Sequence, residues 1–168
     1  MAARAVVRRA LDAAGLQVVE AGRTGRFPRN RFDLVVVTGG DGTVLDVSRF
    51  LQDTPVVAVN PSPETSTGNF CATTADGFGR LLQRILDHDI QPLELTRLTV
   101  SVDGRRFPQP ALNDALLANV VPSATSRYII EVDGFREQQK SSGVWVSTAA
   151  GSTGAIFSAG GLSRPLDE

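Results

Sequence analysis

Five consecutive residues, Gly39-Gly40-Asp41-Gly42-Thr43, bring together three glycines, a carboxylate and a hydroxyl. Glycine lets backbone N–H groups approach an anion closely, and a helix that starts there adds a favourable dipole. The chemistry of such a turn is phosphate binding. Asp41 does not fit that chemistry alone, because a carboxylate repels phosphate unless it handles a proton or a metal. Two readings follow. Asp41 acts on a substrate hydroxyl or on Mg2+, or else Asp41 or Thr43 merely caps a tight strand–helix turn. The stretch has neither the lysine of a P-loop nor G-x-G-x-x-G dinucleotide spacing.

Two further stretches carry chemistry. Asn113-Asp114 lies inside Ala111-Leu112-Asn113-Asp114-Ala115-Leu116-Leu117. A polar pair in an apolar, strand-like run is expensive to bury without partners. It marks a turn, an edge or a satisfied network, or it recognises a ribose or an amide, since Asn donates and accepts and Asp accepts. Residues 150–161 form a second small-residue stretch, either a plain turn or a loop that lets a flat ligand approach the backbone.

Other candidates exclude more than they offer. His88 is the only histidine and sits at a helix end beside Asp87 and Asp89. It reads as a solvated residue, so a Ser/His/Asp hydrolase is not supported. Cys71 is the only cysteine; an intramolecular disulfide and a thiolate zinc cluster are both ruled out. Cys71 reads as a small buried side chain and Trp145 as core of a β layer. Lys140, the only lysine, is an exposed loop residue or a phosphate contact. The arginine-rich loop 21–31 is solvated surface or a flap near a phosphate.

The elements that position these residues change character along the chain. Apolar spacing predicts a helix over 3–14 with Gly15 as its C-cap. Short strands are predicted at 16–19, 34–37 and 55–59, and helices at 43–52 and 76–87. Residues 60–69 read as a loop. This alternation is that of a Rossmann-like α/β layer containing the glycine turn. From residue 95 the period becomes two, with Asp103-Gly104 and Asp133-Gly134 as hairpin turns and a third apolar run at 144–146. A mostly antiparallel β-sandwich region, incomplete, is therefore expected after an α/β layer, with a division at 1–91 and 92–168. With 168 residues the chain can bury one substantial core or two small ones. A net charge of −1 gives no broad field for nucleic acid or an anionic membrane. With no apolar run of signal-peptide or membrane-spanning type, a cytoplasmic setting is expected.

Taken together and in order, these motifs resemble the NAD kinase family. Residues 39–43 match its GGDGT motif, Asn113-Asp114 its Asn-Glu/Asp pair, and residues 151–161 its GST…SAGG segment. GGDGT alone is shared with diacylglycerol and sphingosine kinases; the three motifs together are specific. The loop from Asn60 to Gly68 and the run Gln139-Lys140-Ser141-Ser142-Gly143 resemble the branch that includes the mitochondrial type. Residues 149–161 stand closer to the general bacterial pattern. Thr153-Gly154-Ala155 replaces the family's Thr-Ala-Tyr, and Leu162 replaces a proline. The family is longer at both ends, so the resemblance implies that this chain is truncated.

The resemblance implies a kinase that moves the γ-phosphoryl group of ATP to the adenosine-ribose 2′-hydroxyl of NAD, giving NADP. Gly39, Gly40, Gly42 and Thr43 would hold phosphate, and Asp41 would accept or orient the hydroxyl proton. Asn113 and Asp114 would hold NAD; Thr153, Gly154 and Ser158 would contact its adenine or nicotinamide end; Asn60 could reach the same ligand. The 1–91 part would bind ATP and the 92–168 part NAD. Mg2+ or another divalent cation is the implied cofactor, with no dedicated protein ligands, and a homo-oligomer (dimer or tetramer) the implied assembly. Two rival readings remain: a non-catalytic nucleotide-binding module left by truncation, and a GGDGT lipid kinase.

Overall fold

The computed structural model describes residues 2–22, 31–121 and 123–166. The basic loop proposed at 21–31 falls almost wholly outside them. Two compact units emerge, Met1–Leu93 and Glu94–Glu168.

In the first unit, strands β1 (Val35–Thr38), β2 (Val56–Asn60) and β3 (Cys71–Thr74) form a parallel sheet in the order β1-β2-β3. Helices α1 (Ala2–Ala13) and α3 (Ala75–Leu86) pack on each other and bury Val7, Leu11, Phe78 and Leu82 against Val57 and Val59. Phe78 and Val59 are fully enclosed, each worth about 1.5–3 kcal/mol of transfer free energy. Val35, Val37 and Ala58 are buried as well, as the near-continuous apolar strands of a parallel sheet require. Helix α2 (Asp41–Ser48) packs on β1 and buries Val44 and Val47.

The expected alternation is present, with three corrections. Residues 16–19 form no strand. They have no ladder partner among the described residues, and Val19 is 72% exposed. Side chains hold the segment instead, as Arg4 and Arg8 of α1 pair with Glu20. Helix α2 starts two residues before the expected 43 and ends four before 52, because Gly40 is its N-cap and the chain turns at Arg49 and Phe50. Strand β3 was not anticipated. Cys71-Ala72-Thr73-Thr74 has too little apolar character to announce itself, and its ladder with β2 forms across a register shift between Ala58 and Val59.

Two of the three helices described in this unit, α1 and α3, end on left-handed residues. Gly15 closes α1 through Gly15 N–H to Asp12 O and Leu16 N–H to Leu11 O, the paired bonds of a Schellman motif. His88 (φ 56) does the same for α3 through His88 N–H to Ile85 O and Asp89 N–H to Arg84 O. The lone histidine thus has a local, exposed, structural place.

The second unit is antiparallel. Strands β4 (Ser101–Val102) and β5 (Arg105–Arg106) flank Asp103-Gly104; β7 (Ser126–Val132) and β8 (Phe135–Ser141) flank Asp133-Gly134. Both dipeptides have positive φ at each residue, the type I′ geometry that suits strand twist. Strands β6 (Asp114–Ala118) and β9 (Gly143–Ser147) pair over five residues, and a short helix α4 (Ala155–Ser158) follows. The expected β region is therefore present as three two-stranded pairs rather than as continuous sheets. Lys140 lies on β8, exposed and opposite Arg127, so it is a strand residue and not a loop residue. Among the described residues no helix is long and apolar enough to cross a membrane.

Candidate functional site

Strand β1 delivers the glycine turn at its carboxyl end, the place where open parallel sheets bind ligands. Gly39 donates its N–H to Val59 O, and a Cβ there would lie 2.6 Å from the Thr43 hydroxyl. Gly39 is thus sterically required. Gly42 is open and Gly40 meets only Ser66 Oγ at 3.5 Å, so of the three glycines only Gly39 is held by a steric demand of the fold. Gly40 O receives the N–H groups of Thr43 and Val44. The N–H groups of Gly40, Asp41 and Gly42 find no acceptor among the described residues, as expected at a helix start. Gly40 is the N-cap, and Asp41 and Thr43 lie within the first turn of α2 rather than at the capping position.

Asp41 instead reaches across the turn to a distant loop. Its Oδ2 accepts from the backbone N–H and the side-chain amide of Asn69, both at 3.0 Å, and its Oδ1 accepts from the N–H of Phe70 at 2.9 Å. The negative charge that sits awkwardly beside a phosphate cradle is thereby drawn onto fixed donors. Cys71 donates its thiol to Gly39 O at 3.5 Å. Burial, and then the neighbouring Asp41, push that thiol above its ordinary pKa, so it remains a protonated packing group.

Asn60 ends β2 and is 5% exposed. Its Nδ2 donates to Ser66 O at 2.9 Å and its Oδ1 accepts from Ser62 N–H at 3.0 Å. Both ends of the amide hold loop 61–68 in shape, so the residue expected to reach the ligand has a supporting role in this loop.

The second unit builds its own constellation. Asn113 precedes β6, and Asp114 opens it opposite Ser147. The backbone here is pinned to the turn after β9. Thr148 Oγ1 donates to Leu112 O at 2.6 Å, Thr148 N–H donates to Asn113 O at 2.9 Å, and Gly151 N–H donates back to Thr148 Oγ1 at 3.0 Å. A Cβ on Gly151 would lie 2.2 Å from Asn113 O, which no local shift relieves. Gly154 lies against the same pair: its Cβ would sit 3.2 Å from Asn113 Nδ2 and 3.9 Å from Asp114 Oδ2. Burial raises the Asp114 carboxyl above its ordinary pKa. Asn113 Oδ1 is buried with no hydrogen-bond partner among the described residues, and such an acceptor costs about 1–3 kcal/mol if left so.

The structure thus gathers Asn113, Asp114 and Gly154, while Thr153 and Ser158 are exposed on the turn and on α4. None of these five lines the shallow cavity of about 290 Å³ nearby, which is formed by Ser147, Thr148, Ala149, Ser152, Ile156, Leu162 and Arg164. Ser152, 3% exposed, accepts Arg164 N–H at 2.8 Å and donates to Arg164 O at 3.2 Å. Sequence reasoning missed Asn69, Phe70, Thr148 and Ser152. Of these Ser152 lay within the small-residue stretch 150–161, and Thr148 carried a signal as a hydroxyl directly after an apolar strand.

Comparison with known proteins agrees on one family. The profile of the ATP-NAD kinase N-terminal domain matches residues 5–90. A "Probable NADH kinase" of Oryza sativa subsp. japonica is 37% identical over 166 residues, covering 83% of this chain and 50% of the relative. The yeast NADH kinase structure complexed with NADH shares 28% identity at a TM-score of 0.68, covering 83% of this chain and 42% of that one. An NAD kinase from Archaeoglobus fulgidus in complex with ATP has the same fold at a TM-score of 0.73, with 24% identity over 95% of this chain and 62% of its own. The chain spans about half the length of the curated relatives it matches.

Proposed function

The chain belongs to the NAD kinase family, and from that premise we propose that it transfers the γ-phosphoryl group of ATP to the adenosine-ribose 2′-hydroxyl of NAD or NADH. The observation that carries the reading is the Asp41 turn. Three N–H groups without acceptors among the described residues, those of Gly40, Asp41 and Gly42, stand at the start of α2 beside a carboxylate that three donors hold in place. Phosphoryl transfer asks a protein mostly for positioning and charge stabilisation, and this turn supplies both. The bond from Pγ to the ADP oxygen breaks, the bond from Pγ to the 2′-oxygen forms, and the hydroxyl proton passes to Asp41 as the transfer proceeds. The free N–H groups hold phosphate oxygens while Thr43 and Gly39 fix the turn.

In the second unit, Asn113 and Asp114 are the NAD-holding pair. The unpartnered Asn113 Oδ1 suits a ligand N–H or O–H, and Gly154, lacking a side chain, leaves the pair accessible. Thr153 and Ser158 contribute from the exposed turn and helix. Asn60 acts one step back, through the loop it organises. Among the described residues no three His, Cys, Asp or Glu side chains gather into a metal site. A divalent cation would come with the triphosphate, as Mg2+ commonly does, and would supply charge neutralisation on the transferring group.

The β6–β9 register puts Ala115, Leu117, Val144 and Val146 on one face, where Leu117 and Val146 are more than half exposed. That face supports a homo-oligomer, read out by light scattering.

The test of the function is direct. ATP with NAD, with NADH, with a diacylglycerol or with a sphingoid base should give phosphorylated product only from the two nicotinamide dinucleotides. Phosphorylation of either lipid overturns the reading, and so does dinucleotide binding without turnover.

A further inference from the structure

The bonds to Asp41 come from residues 28 and 29 positions further along the chain. They are a tertiary contact and not a helix cap. Asn69 supplies two of the three donors, one from its backbone and one from its side chain. The segment that presents Asn69 is itself tied on both sides. Before it, buried Asn60 grips Ser66 O and Ser62 N–H. Gly68 has φ +63, and a Cβ there would lie 2.7 Å from Asn60 Nδ2 and 3.0 Å from Cys71 Sγ; only glycine takes that backbone in that space. After it, Cys71 N–H bonds to Gly68 O at 2.9 Å and the Cys71 thiol bonds to Gly39 O at 3.5 Å.

An ionised carboxylate has about four acceptor directions. Asn69 fills both on Oδ2, and Phe70 fills one on Oδ1. The remaining direction belongs to Oδ1. We propose that Asn69 is the positioning residue of Asp41: by saturating Oδ2 it makes Oδ1 the oxygen offered to the acceptor hydroxyl. This rests on the reading of Asp41 as the group that handles that hydroxyl. Asn69 touches neither substrate nor reacting atom and works only through the carboxylate it orients.

Two substitutions separate positioning from packing. Asn69→Ala removes the side-chain donor and keeps the backbone one. Asn69→Asp keeps the size and shape but turns a donor into a second carboxylate facing Asp41. If Asn69 positions Asp41, kcat for NADP formation falls about tenfold in Asn69→Ala and about a hundredfold or more in Asn69→Asp, with KM for ATP within about twofold of the parent. A packing role predicts the opposite order, with the isosteric aspartate closer to the parent, and that order overturns the proposal.

A second arm does not need activity. Urea unfolding of the 168-residue chain, of Asp41→Ala, of Asn69→Ala and of the double variant forms a cycle. Coupling of about fivefold or more in the unfolding equilibrium constant supports the proposal, and additive effects overturn it. If the parent chain forms no NADP while the cycle shows coupling, the kinase reading falls and the hold of Asn69 on Asp41 stands.

Discussion

Two polar constellations sit in the two units, and they are satisfied in opposite ways. Around Asp41 the carboxylate carries three donors, two from backbone N–H groups and one from the Asn69 side-chain amide. Around Asn113 the backbone is equally pinned, by Thr148 and Gly151, yet the side chains are not. Asn113 Oδ1 is buried without a partner, and Asp114 is destabilised as an anion by burial. A group that handles a proton must be oriented before substrate arrives, because misplacement by an ångström costs orders of magnitude. On the proposed reading Asn113 recognises a ligand and keeps its hydrogen-bonding capacity open, and the unsatisfied acceptor is the cost of that readiness.

The contrast breaks first at glycine. Gly151→Ala drives a methyl into the Asn113 carbonyl and should destabilise the chain by more than about 3 kcal/mol. Gly42→Ala meets open space and should change stability by under about 0.5 kcal/mol. Urea midpoints of the two variants decide it. Near-equal effects would mean that the 151 turn does not hold Asn113 as described.

Asn60→Ala comes next. It strands the Ser66 carbonyl and the Ser62 N–H of the loop that leads to Asp41, an expected loss of about 2 kcal/mol. On the proposed reading this variant should also show a lower kcat at unchanged dinucleotide affinity, since Asn60 holds the loop that leads to Asp41.

Asp114→Asn addresses the other side through pH. The folded carboxyl has a raised pKa, so its favourable contribution is complete below the ordinary carboxylate value and is lost as pH rises through the folded one. The variant should therefore be more stable than the parent near pH 7, and the gain should vanish at about pH 3. Thermal melts at the two pH values measure it; an equal difference at both would remove burial as the cause.

The smallest effect is a control away from both constellations. His88→Gly relieves a left-handed residue at the end of α3 and should stabilise the chain by about 0.5–1 kcal/mol without altering turnover.

How much of this is legible in the sequence follows from the range of each interaction. Hairpin turns at Asp103-Gly104 and Asp133-Gly134 are local chemistry and are read correctly. The buried strands around Val37 and Val59 declare themselves by composition. Strand β3 does not, because Cys71-Ala72-Thr73-Thr74 becomes a strand only through the ladder that β2 offers. Residues 16–19 mislead for the converse reason: the residues suit a strand, but among the described residues they join no ladder. At the site, the residue types of 39–43 and 113–114 point to their chemistry, while Asn69 leaves no trace near Asp41 in the sequence. Its contact spans 28 residues and exists only once the loop after β2 has closed over the turn.

The central claim is that Asp41 serves the transfer step and not the binding of dinucleotide. Calorimetric titration of NAD and the rate of NADP formation, measured side by side on the parent and on Asp41→Asn, test it most directly. The account predicts NAD affinity within about twofold and a rate lowered by about 10²–10⁴. A variant that turns over at the parent rate, or one that loses NAD binding along with its rate, contradicts it.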